Sequence, residues 1–329
     1  MSAPDRDVVV VGAGPAGCAA AVFAARDGLD VAVFDRGRSS LARCAHLENY
    51  PGFPAGIDVG TLSDLMRAQV ERAGCALVDD LVESVERPGD DSDGSAGSDG
   101  PRLVVRPQEG DPVTARRVVA ATRYDGEYLR GLDDDDAMFE VRDRGGETHE
   151  RFDREYADRD GTTPVDGLYV ASPSDADRQA ITAAGRGARV GKRVVADARI
   201  DAGWWPDAAE GVDWVRRESE LDDEWADPDR WVEWFDETHA DGPVAPDSER
   251  FARVREAAVD DALSSYVDAD EEAARAAAGH RALAERLDSE AVVDAHGADA
   301  LLDAMDDEAV AAHVAGDEQS AERPDEASP

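Results

Sequence analysis

The N-terminal segment contains two short apolar runs separated by an alanine-rich stretch. Residues 8–11 are four valines, as expected for a strand that is buried on both faces of a parallel sheet. Residues 18–27 are rich in alanine and precede Gly28, which predicts a helix with glycine at its C′ position. A second apolar run, residues 31–34, ends at Asp35. This pattern is typical of one β-α-β unit.

The turn between the first predicted strand and the helix has the spacing G-x-G-x-x-G. Gly12 allows a tight turn, Gly14 lets the backbone approach a diphosphate, and Gly17 lets helix and strand pack closely. The helix N-terminus offers free N–H groups and a positive dipole end to that diphosphate. Asp35 directly follows the second apolar run, where a carboxylate accepts hydrogen bonds from ribose hydroxyls. The unit predicts dinucleotide binding, and the alternative is a glycine turn in an unrelated α/β fold.

The remaining pattern divides the chain into an α/β part and a helical part. It predicts a helix over 61–74 and strands at 76–78, 81–85, 103–105 and 117–122. Residues 88–101, rich in Asp, Ser and Gly, predict a mobile loop. The glycines at 185, 187 and 191 fall inside a helical stretch and follow no strand, so we do not expect them to form a second nucleotide-binding turn. We therefore predict a dinucleotide-binding domain over 1–200, an acidic helical module over 201–317 and a disordered tail over 318–329.

Composition narrows the classes of partner. The 329 residues include 75 acidic and 35 basic side chains, and the formal net charge is −40. Such a charge repels phosphate backbones and anionic lipids, so we expect neither a nucleic-acid nor a membrane partner. Lys192 is the single lysine, and an acidic chain poor in lysine is typical of cells that accumulate molar salt. No signal-like segment and no apolar run of membrane-spanning length occurs, so we expect a cytoplasmic protein.

Three further segments carry a resemblance. Residues 48–54 read Glu-Asn-Tyr-Pro-Gly-Phe-Pro, residues 117–122 end in Ala-Thr, and residues 164–171 form a strand-like segment followed by a helical one at 178–185. In this order, and together with the first glycine turn, they resemble the thioredoxin reductase branch of the pyridine nucleotide–disulphide oxidoreductases. The resemblance covers about residues 7–195.

The resemblance implies FAD as the cofactor. By motif match, the residues implied for the diphosphate are Gly12, Gly14, Pro15, Ala16 and Gly17. Asp35 would bind the adenosine ribose, and Asn49 would approach the flavin and ribityl region. Thr122 belongs to the Ala-Thr segment, Asp175 is the nearest carboxylate to the ribityl chain, and Gln179 and Ala180 would start the helix that faces the flavin. The resemblance implies no metal.

The chain also departs from the family pattern. Only residues 123–164 separate the Ala-Thr segment from the second FAD motif, a short linker in place of the family's NADPH domain. The redox C-x-x-C is missing, Arg123 replaces the glycine after Ala-Thr, and Ser172-Pro173 replaces Gly-Asp. Cys44 is the one thiol placed near the implied flavin. It is our candidate catalytic residue, with an unreactive free cysteine as the alternative.

All six tryptophans lie between Trp204 and Trp234. They could stack on a flavin, line an aromatic substrate pocket, form a subunit interface, or build the core of a small helical module.

We expect a three-layer, Rossmann-type α/β FAD-binding domain with a small β-meander, followed by an all-α C-terminal module. The leading hypothesis is an FAD-dependent oxidoreductase without its own NADPH domain or dithiol, which exchanges electrons with an unidentified small molecule or redox protein. The alternatives are a non-catalytic flavin- or nucleotide-binding sensor and a minimal NAD(P) dehydrogenase. The sequence permits a homodimer.

Overall fold

A computed structural model describes residues 5–37, 39–88, 102–123, 126–144, 146–174, 178–211, 216–218 and 225–321. Only residue 88 of the predicted mobile loop 88–101 is among them, so that prediction lies outside the described residues. Of the predicted disordered tail, residues 318–321 are described, and they continue the last helix.

The strands are short, and in the N-terminal part they alternate with helices. In chain order they are β1 (Asp5–Val11), β2 (Val31–Phe34), β3 (His46–Leu47), β4 (Ile57–Asp58), β5 (Ala76–Val78), β6 (Val82–Glu86), β7 (Leu103–Pro107), β8 (Val113–Ala121), β9 (Phe139–Arg144), β10 (Glu147–Phe152), β11 (Leu168–Ser172), β12 (Arg217–Glu218) and β13 (Tyr266–Val267).

The helices become more frequent toward the C-terminus. They are α1 (Pro15–Arg26), α2 (Val59–Arg72), α3 (Asp135–Met138), α4 (Ala180–Asp201), α5 (Pro206–Ala209), α6 (Pro228–His239), α7 (Glu249–Leu263), α8 (Ala269–Ala284), α9 (Ser289–His296), α10 (Ala298–Ala304) and α11 (Asp307–Ala321). Helix α2 begins slightly before its predicted start, because the Asp58 carboxylate caps it by accepting a hydrogen bond from the Thr61 N–H at 2.9 Å.

One seven-stranded sheet organises the N-terminal part. Its order is β5-β2-β1-β8-β7-β6, and β11 also pairs with β8. The strands β5, β2, β1, β8 and β11 are parallel, whereas β6-β7-β8 is the predicted antiparallel meander. Strand β8 pairs with β1 along one edge, and along its other edge residues 113–115 pair with β7 and residues 118–121 pair with β11.

The sheet separates two apolar layers. Val8 and Val10 belong to the core shared with α1, α2 and α4, whereas Val9 and Val11 belong to the core on the opposite face. Both faces of β1 are therefore buried, as four consecutive valines predict. The three-layer α/β fold is confirmed.

The stretch between β8 and β11 covers the second face of the sheet. It contains a 3₁₀ turn at Glu127–Leu129, helix α3 and the β9–β10 hairpin. Phe139 and Phe152 are opposite each other in this hairpin, and their rings meet edge to face at 5.6 Å between centroids. These side chains belong to the core of that face. That the stretch replaces an NADPH domain stays a prediction.

The C-terminal part is helical except for β12 and β13, two short strands that pair in parallel. The predicted helical C-terminal part is confirmed, and this pair of two-residue strands is an addition to it. The pair forms where the Arg217 N–H donates to the Ser265 carbonyl oxygen at 2.9 Å. Among the residues that the structure describes, no helix has the length and apolar character needed to cross a membrane.

The chain divides into two compact units, Met1–Arg275 and Ala276–Pro329. The first unit extends beyond the boundary predicted at residue 200, because residues after α4 share a core with its end. Trp204, Trp205, Phe235 and Phe251 are buried there together with Ala196 of α4. In the second unit, α9 and α10 bury no side chain.

Candidate functional site

The turn between β1 and α1 has the geometry that its glycines predict. Gly12 has a φ of +106°, and a Cβ atom on it would lie 2.8 Å from the Ala121 carbonyl oxygen. A Cβ atom on Gly17 would lie 1.8 Å from the Gly12 carbonyl oxygen. Side chains at these two positions would collide with backbone, which cannot rotate away. Glycine at both positions lets α1 start directly behind the end of β1, against β8.

Gly14 differs from these two glycines because the space beside it is open. It is the N-cap of α1 with a φ of −77°, and a Cβ atom there would meet only the Ser39 hydroxyl oxygen, at 3.6 Å. Pro15 follows as the first helical residue, and no side chain caps the helix. The amide groups of the first turn therefore lack intrahelical acceptors, and they leave partial positive charge at this end.

Helix α4 begins beside α1. Gln179 is its N-cap and makes no side-chain capping hydrogen bond. A Cβ atom on Gly187 would lie 2.0 Å from the Ala16 carbonyl oxygen, and one on Gly191 would lie 2.8 Å from Phe23 Cβ. Gly187 and Gly191 thus let the two helices touch, and all three glycines at 185, 187 and 191 lie inside α4, as the helical pattern predicts.

The two helix starts open onto one cavity of about 420 Å³. Most of the predicted site residues line it: Gly12, Gly14, Pro15, Ala16, Asp35, Cys44, Thr122, Gln179 and Ala180. Gly17 lies behind the turn, against Gly12. Arg123, which replaces the glycine of the resembled motif, also lines the cavity. Asp175 lies outside the described residues.

A hydrogen bond joins Asn49 to the start of α4. The Asn49 Nδ2 donates to Gln179 Oε1 at 2.6 Å, although the two residues are 130 positions apart. Each residue was predicted near the flavin from a separate motif. The structure brings the two amides together, and of the two residues Gln179 lines the cavity while Asn49 lies beside it, outside the lining.

Asp35 lies at the end of β2 with its carboxylate already oriented. Its Oδ2 accepts hydrogen bonds from Arg67 Nη1 of α2 at 2.8 Å and from the Gly37 N–H at 3.2 Å. The Asp35 side chain is 14% exposed. Within the described residues both bonds go to Oδ2, which leaves Oδ1 for a donor such as a ribose hydroxyl. Arg67 was not expected from the sequence, since it lies on a separate element.

Asp80 is a second cavity-lining carboxylate, and sequence reasoning missed it. Its oxygens accept from the backbone N–H groups of Leu81, Glu109 and Gly110 at 2.7, 3.1 and 2.9 Å. Burial raises the pKa of this carboxyl, but the three donors outweigh burial, and the pKa lies below its ordinary value. Asp80 follows strand β5 as Asp35 follows β2, and this position at the carboxyl edge of the sheet was the available signal.

The three thiols have different surroundings. Cys44 is exposed at the cavity, whereas Cys18 and Cys75 are buried. Their Sγ atoms donate to the carbonyl oxygens of Ala13 and Ala21. Burial raises the pKa of Cys18 to about 12 and that of Cys75 to about 11. These two thiols are therefore packed and protonated side chains.

Comparison with known proteins gives the following relations. Residues 6–122 match the family model for pyridine nucleotide-disulphide oxidoreductases. The chain is 43% identical over 88 residues to a thioredoxin reductase of Streptomyces clavuligerus, covering 26% of this chain and 27% of that protein. It is 39% identical over 128 residues to a bifunctional thioredoxin reductase/thioredoxin of Mycobacterium leprae, covering 38% of this chain and 25% of that protein.

A solved structure of a thioredoxin reductase from Gloeobacter violaceus is 17% identical, with a TM-score of 0.47, and covers 65% of this chain and 100% of that one. The chain thus spans about a quarter of the length of the curated relatives that it matches. Residues 6–122 therefore resemble the pyridine nucleotide–disulphide oxidoreductase family, of the thioredoxin reductase-like kind.

Proposed function

We propose that the cavity binds FAD and that the protein is an FAD-dependent oxidoreductase that exchanges electrons with an external partner. The observation that carries the proposal is the convergence of the N-termini of α1 and α4 on one cavity. Each N-terminus offers backbone N–H groups that have no intrahelical acceptor, together with partial positive charge. One suits the diphosphate of FAD, and the other suits the negative charge of a reduced flavin.

The residues at hand fit FAD. Gly14 leaves open the space that a diphosphate oxygen needs in order to reach the backbone. Asp35 presents a carboxylate that Arg67 holds in place for a ribose hydroxyl. The hydrogen bond between Asn49 and Gln179 would hold the segment that contains Asn49 against the start of α4, where the flavin is expected. When bound, FAD supplies hydride and electron transfer, and the chain supplies position and electrostatics.

The electron donor is proposed to be separate from this chain. No C-x-x-C occurs in the sequence, and the described stretch between β8 and β11 forms only short elements on the sheet. A separate reductase, a ferredoxin-like carrier, the substrate or free NAD(P)H would then reduce the cofactor. The net charge of −40 and the single lysine support a salt-rich cytoplasm as the place of action.

An absorbance measurement tests the proposal. The purified chain, incubated with FAD in molar salt and then freed of unbound cofactor, is expected to retain about one FAD per chain. NADPH is then added without oxygen. Bleaching of the flavin absorbance would identify a direct donor, and bleaching by reduced ferredoxin alone would identify a carrier. A chain that retains no FAD would overturn the proposal.

A non-catalytic flavin-binding sensor is the second candidate. Arg123 at the cavity wall and the lack of a dithiol favour it, because both depart from the motifs that the resemblance implies. FAD that is retained but stays oxidised with NADPH, NADH and reduced ferredoxin, while dithionite reduces it, would support this candidate over the oxidoreductase.

Alkylation tests the exposed thiol. We expect iodoacetamide to label Cys44 alone in the native chain and all three cysteines after unfolding, since Cys18 and Cys75 are buried with raised pKa values. If Cys44 is the catalytic thiol, Cys44→Ser abolishes turnover while FAD retention is unchanged. Cys75→Ala, a core change away from the cavity, is the control and retains turnover. Full turnover in Cys44→Ser would exclude the thiol from the reaction.

A further inference from the structure

The cavity proposed to bind FAD runs along the carboxyl edge of the sheet. Four neighbouring parallel strands, in the order β5-β2-β1-β8, end there. The lining residues that follow these strands are Asp80 (β5), Asp35 and Arg36 (β2), Gly12 (β1) and Thr122 (β8). Because neighbouring strands are about 4.8 Å apart, this edge measures about 14 Å from β5 to β8. A dinucleotide that extends along it would have one end beside Arg36 and Asp80.

The turn between β7 and β8, residues 108–112, holds the guanidinium of Arg36 at this end of the cavity. Arg36 Nη1 donates to Gln108 Oε1, and Arg36 Nη2 donates to Glu109 Oε1 at 3.4 Å. The N–H groups of a guanidinium lie in its plane, so these hydrogen bonds use the edge of the group and do not occupy its faces. The Arg36 side chain is 39% exposed and lines the cavity. Its plane is therefore suited to stacking on a flat ring in the cavity.

Asp80 binds the backbone of the same turn. The Glu109 and Gly110 N–H groups donate to Asp80 Oδ2 at 3.1 and 2.9 Å. Asp80 is buried, and hydrogen bonds to a carboxylate are stronger than those between neutral groups. Asp80 thus fixes the residues that hold Arg36, and it acts on the cavity through them.

We propose that the Arg36 guanidinium stacks on the adenine of the bound dinucleotide, and that Asp80 positions Arg36 through the turn between β7 and β8. Asp35, which precedes Arg36, is proposed to bind the adenosine ribose, and adenine is the aromatic ring attached to that ribose. Guanidinium groups stack on aromatic rings and on nucleobases. The proposal rests on the FAD binding proposed above and names the residues that recognise the adenine half.

Competition for bound FAD tests the stacking contact. The measurement is made in molar salt, where the Debye length is about 3 Å and exposed charges are largely screened. The competitors are ADP and UDP, which share the ribose and the diphosphate and differ in the base. Arg36→Ala is expected to weaken FAD and ADP by about tenfold. UDP should weaken by about threefold at most, since its smaller ring offers less stacking surface.

Arg36→Lys separates stacking from charge. Lysine keeps the positive charge but has no planar group, so this variant should bind FAD and ADP as weakly as Arg36→Ala does. Arg106→Ala is the matched control. Arg106 is an exposed arginine on β7 that pairs with Glu86 and does not line the cavity, so the affinities for FAD and ADP should stay unchanged.

Two variants test the positioning role. Asp80→Asn places an amide against the backbone N–H donors of the turn, and Gln108→Ala removes an exposed acceptor of Arg36 with little risk to folding. Each should weaken ADP by about threefold or more while UDP changes less. Combining Gln108→Ala with Arg36→Ala should weaken ADP no further than Arg36→Ala alone, because both changes act on one contact.

The outcomes separate this inference from the function on which it rests. If the wild-type chain retains no FAD, the proposed function and the stacking contact are both wrong. If it retains FAD, the stacking contact alone is overturned when ADP does not compete, when Arg36→Ala binds FAD and ADP normally, when Arg36→Lys restores their affinity, or when ADP and UDP weaken equally. Wild-type ADP affinity in both Asp80→Asn and Gln108→Ala would overturn the positioning role.

Discussion

Gly187→Ala is expected to destabilise the chain by about 3 kcal/mol, at the upper end of the range for overpacked cores. The added Cβ would lie 2.0 Å from the Ala16 carbonyl oxygen and 2.7 Å from Ala16 Cα. Both atoms belong to the backbone of α1, so no side-chain rotation relieves the clash, and α4 must move away from α1. The midpoint of chemical unfolding in molar salt measures the loss.

Gly185→Ala is the matched control on the same helix. Gly185 is exposed, and a Cβ atom there would meet nothing within 4 Å. This substitution should stabilise the chain by about 0.5–1 kcal/mol, because alanine loses less backbone entropy than glycine in a helix. If Gly187→Ala lowers the free energy of unfolding and Gly185→Ala raises it, the contact between the helices is the cause, because the substitution is the same and the two positions lie on one helix. Equal stability of both variants would contradict the close packing of α1 and α4.

Gly187→Ala should also disturb the cavity that is proposed to bind FAD. Helices α1 and α4 present their N-termini to it, and Gly187 packs against the first turn of α1. A displaced α4 would also carry Gln179 away from Asn49. We therefore expect Gly187→Ala to retain less FAD than Gly185→Ala when the two are loaded under identical conditions.

Gly14→Val is expected to lower FAD affinity by at least about a hundredfold while the fold persists. Gly14 has an ordinary φ of −77°, and a Cβ atom there would make only a normal contact with Ser39. The valine side chain would instead occupy the space in which a diphosphate meets the backbone of the turn. Titration with FAD, followed by flavin fluorescence, measures the affinity, and circular dichroism verifies the fold.

Gly17→Val supplies the contrast. A Cβ atom at position 17 would lie 1.8 Å from the Gly12 carbonyl oxygen, so this variant should fail to fold. The two substitutions thus separate the binding role of one glycine from the packing role of the other. If a folded Gly14→Val variant binds FAD with wild-type affinity, the diphosphate does not bind at this turn, and the proposed function is contradicted.

The local pattern was sufficient for the first β-α-β unit. Four valines, a glycine turn and an alanine-rich helix are signals from one continuous segment, and the structure forms β1, α1 and β2 there. The separate roles predicted for Gly12 and Gly17 agree with the backbone geometry. Such features are readable because strand and helix periodicity, and the steric demands of a turn, act between neighbouring residues.

The sequence predicted less about the environments of side chains in the helical C-terminal part. The six tryptophans left four alternatives open, and the structure assigns different environments to different members. Trp205 is buried and stacks on Phe251 in the core, whereas Trp231 and Trp234 line a separate cavity of about 530 Å³. Trp214 lies outside the described residues. Spacing on α6 predicts a shared face, but it does not say whether a neighbouring helix or a cavity lies against that face.

Tertiary packing alone decided which polar side chains pair at the cavity that is proposed to bind FAD. Arg67 of α2 donates a hydrogen bond to Asp35, and the N–H groups of residues 109 and 110 donate to Asp80. Asn49 donates a hydrogen bond to Gln179, which lies 130 positions away in the sequence. The hydrophobic pattern of the sequence predicts none of these contacts, because each depends on how elements that are distant in sequence pack together. The chain's own pattern determined its resemblance to a family, its glycine turn and its acidic composition. The partners of its polar side chains followed from packing, since hydrogen bonds require atoms within about 3 Å and the order of residues does not specify that distance.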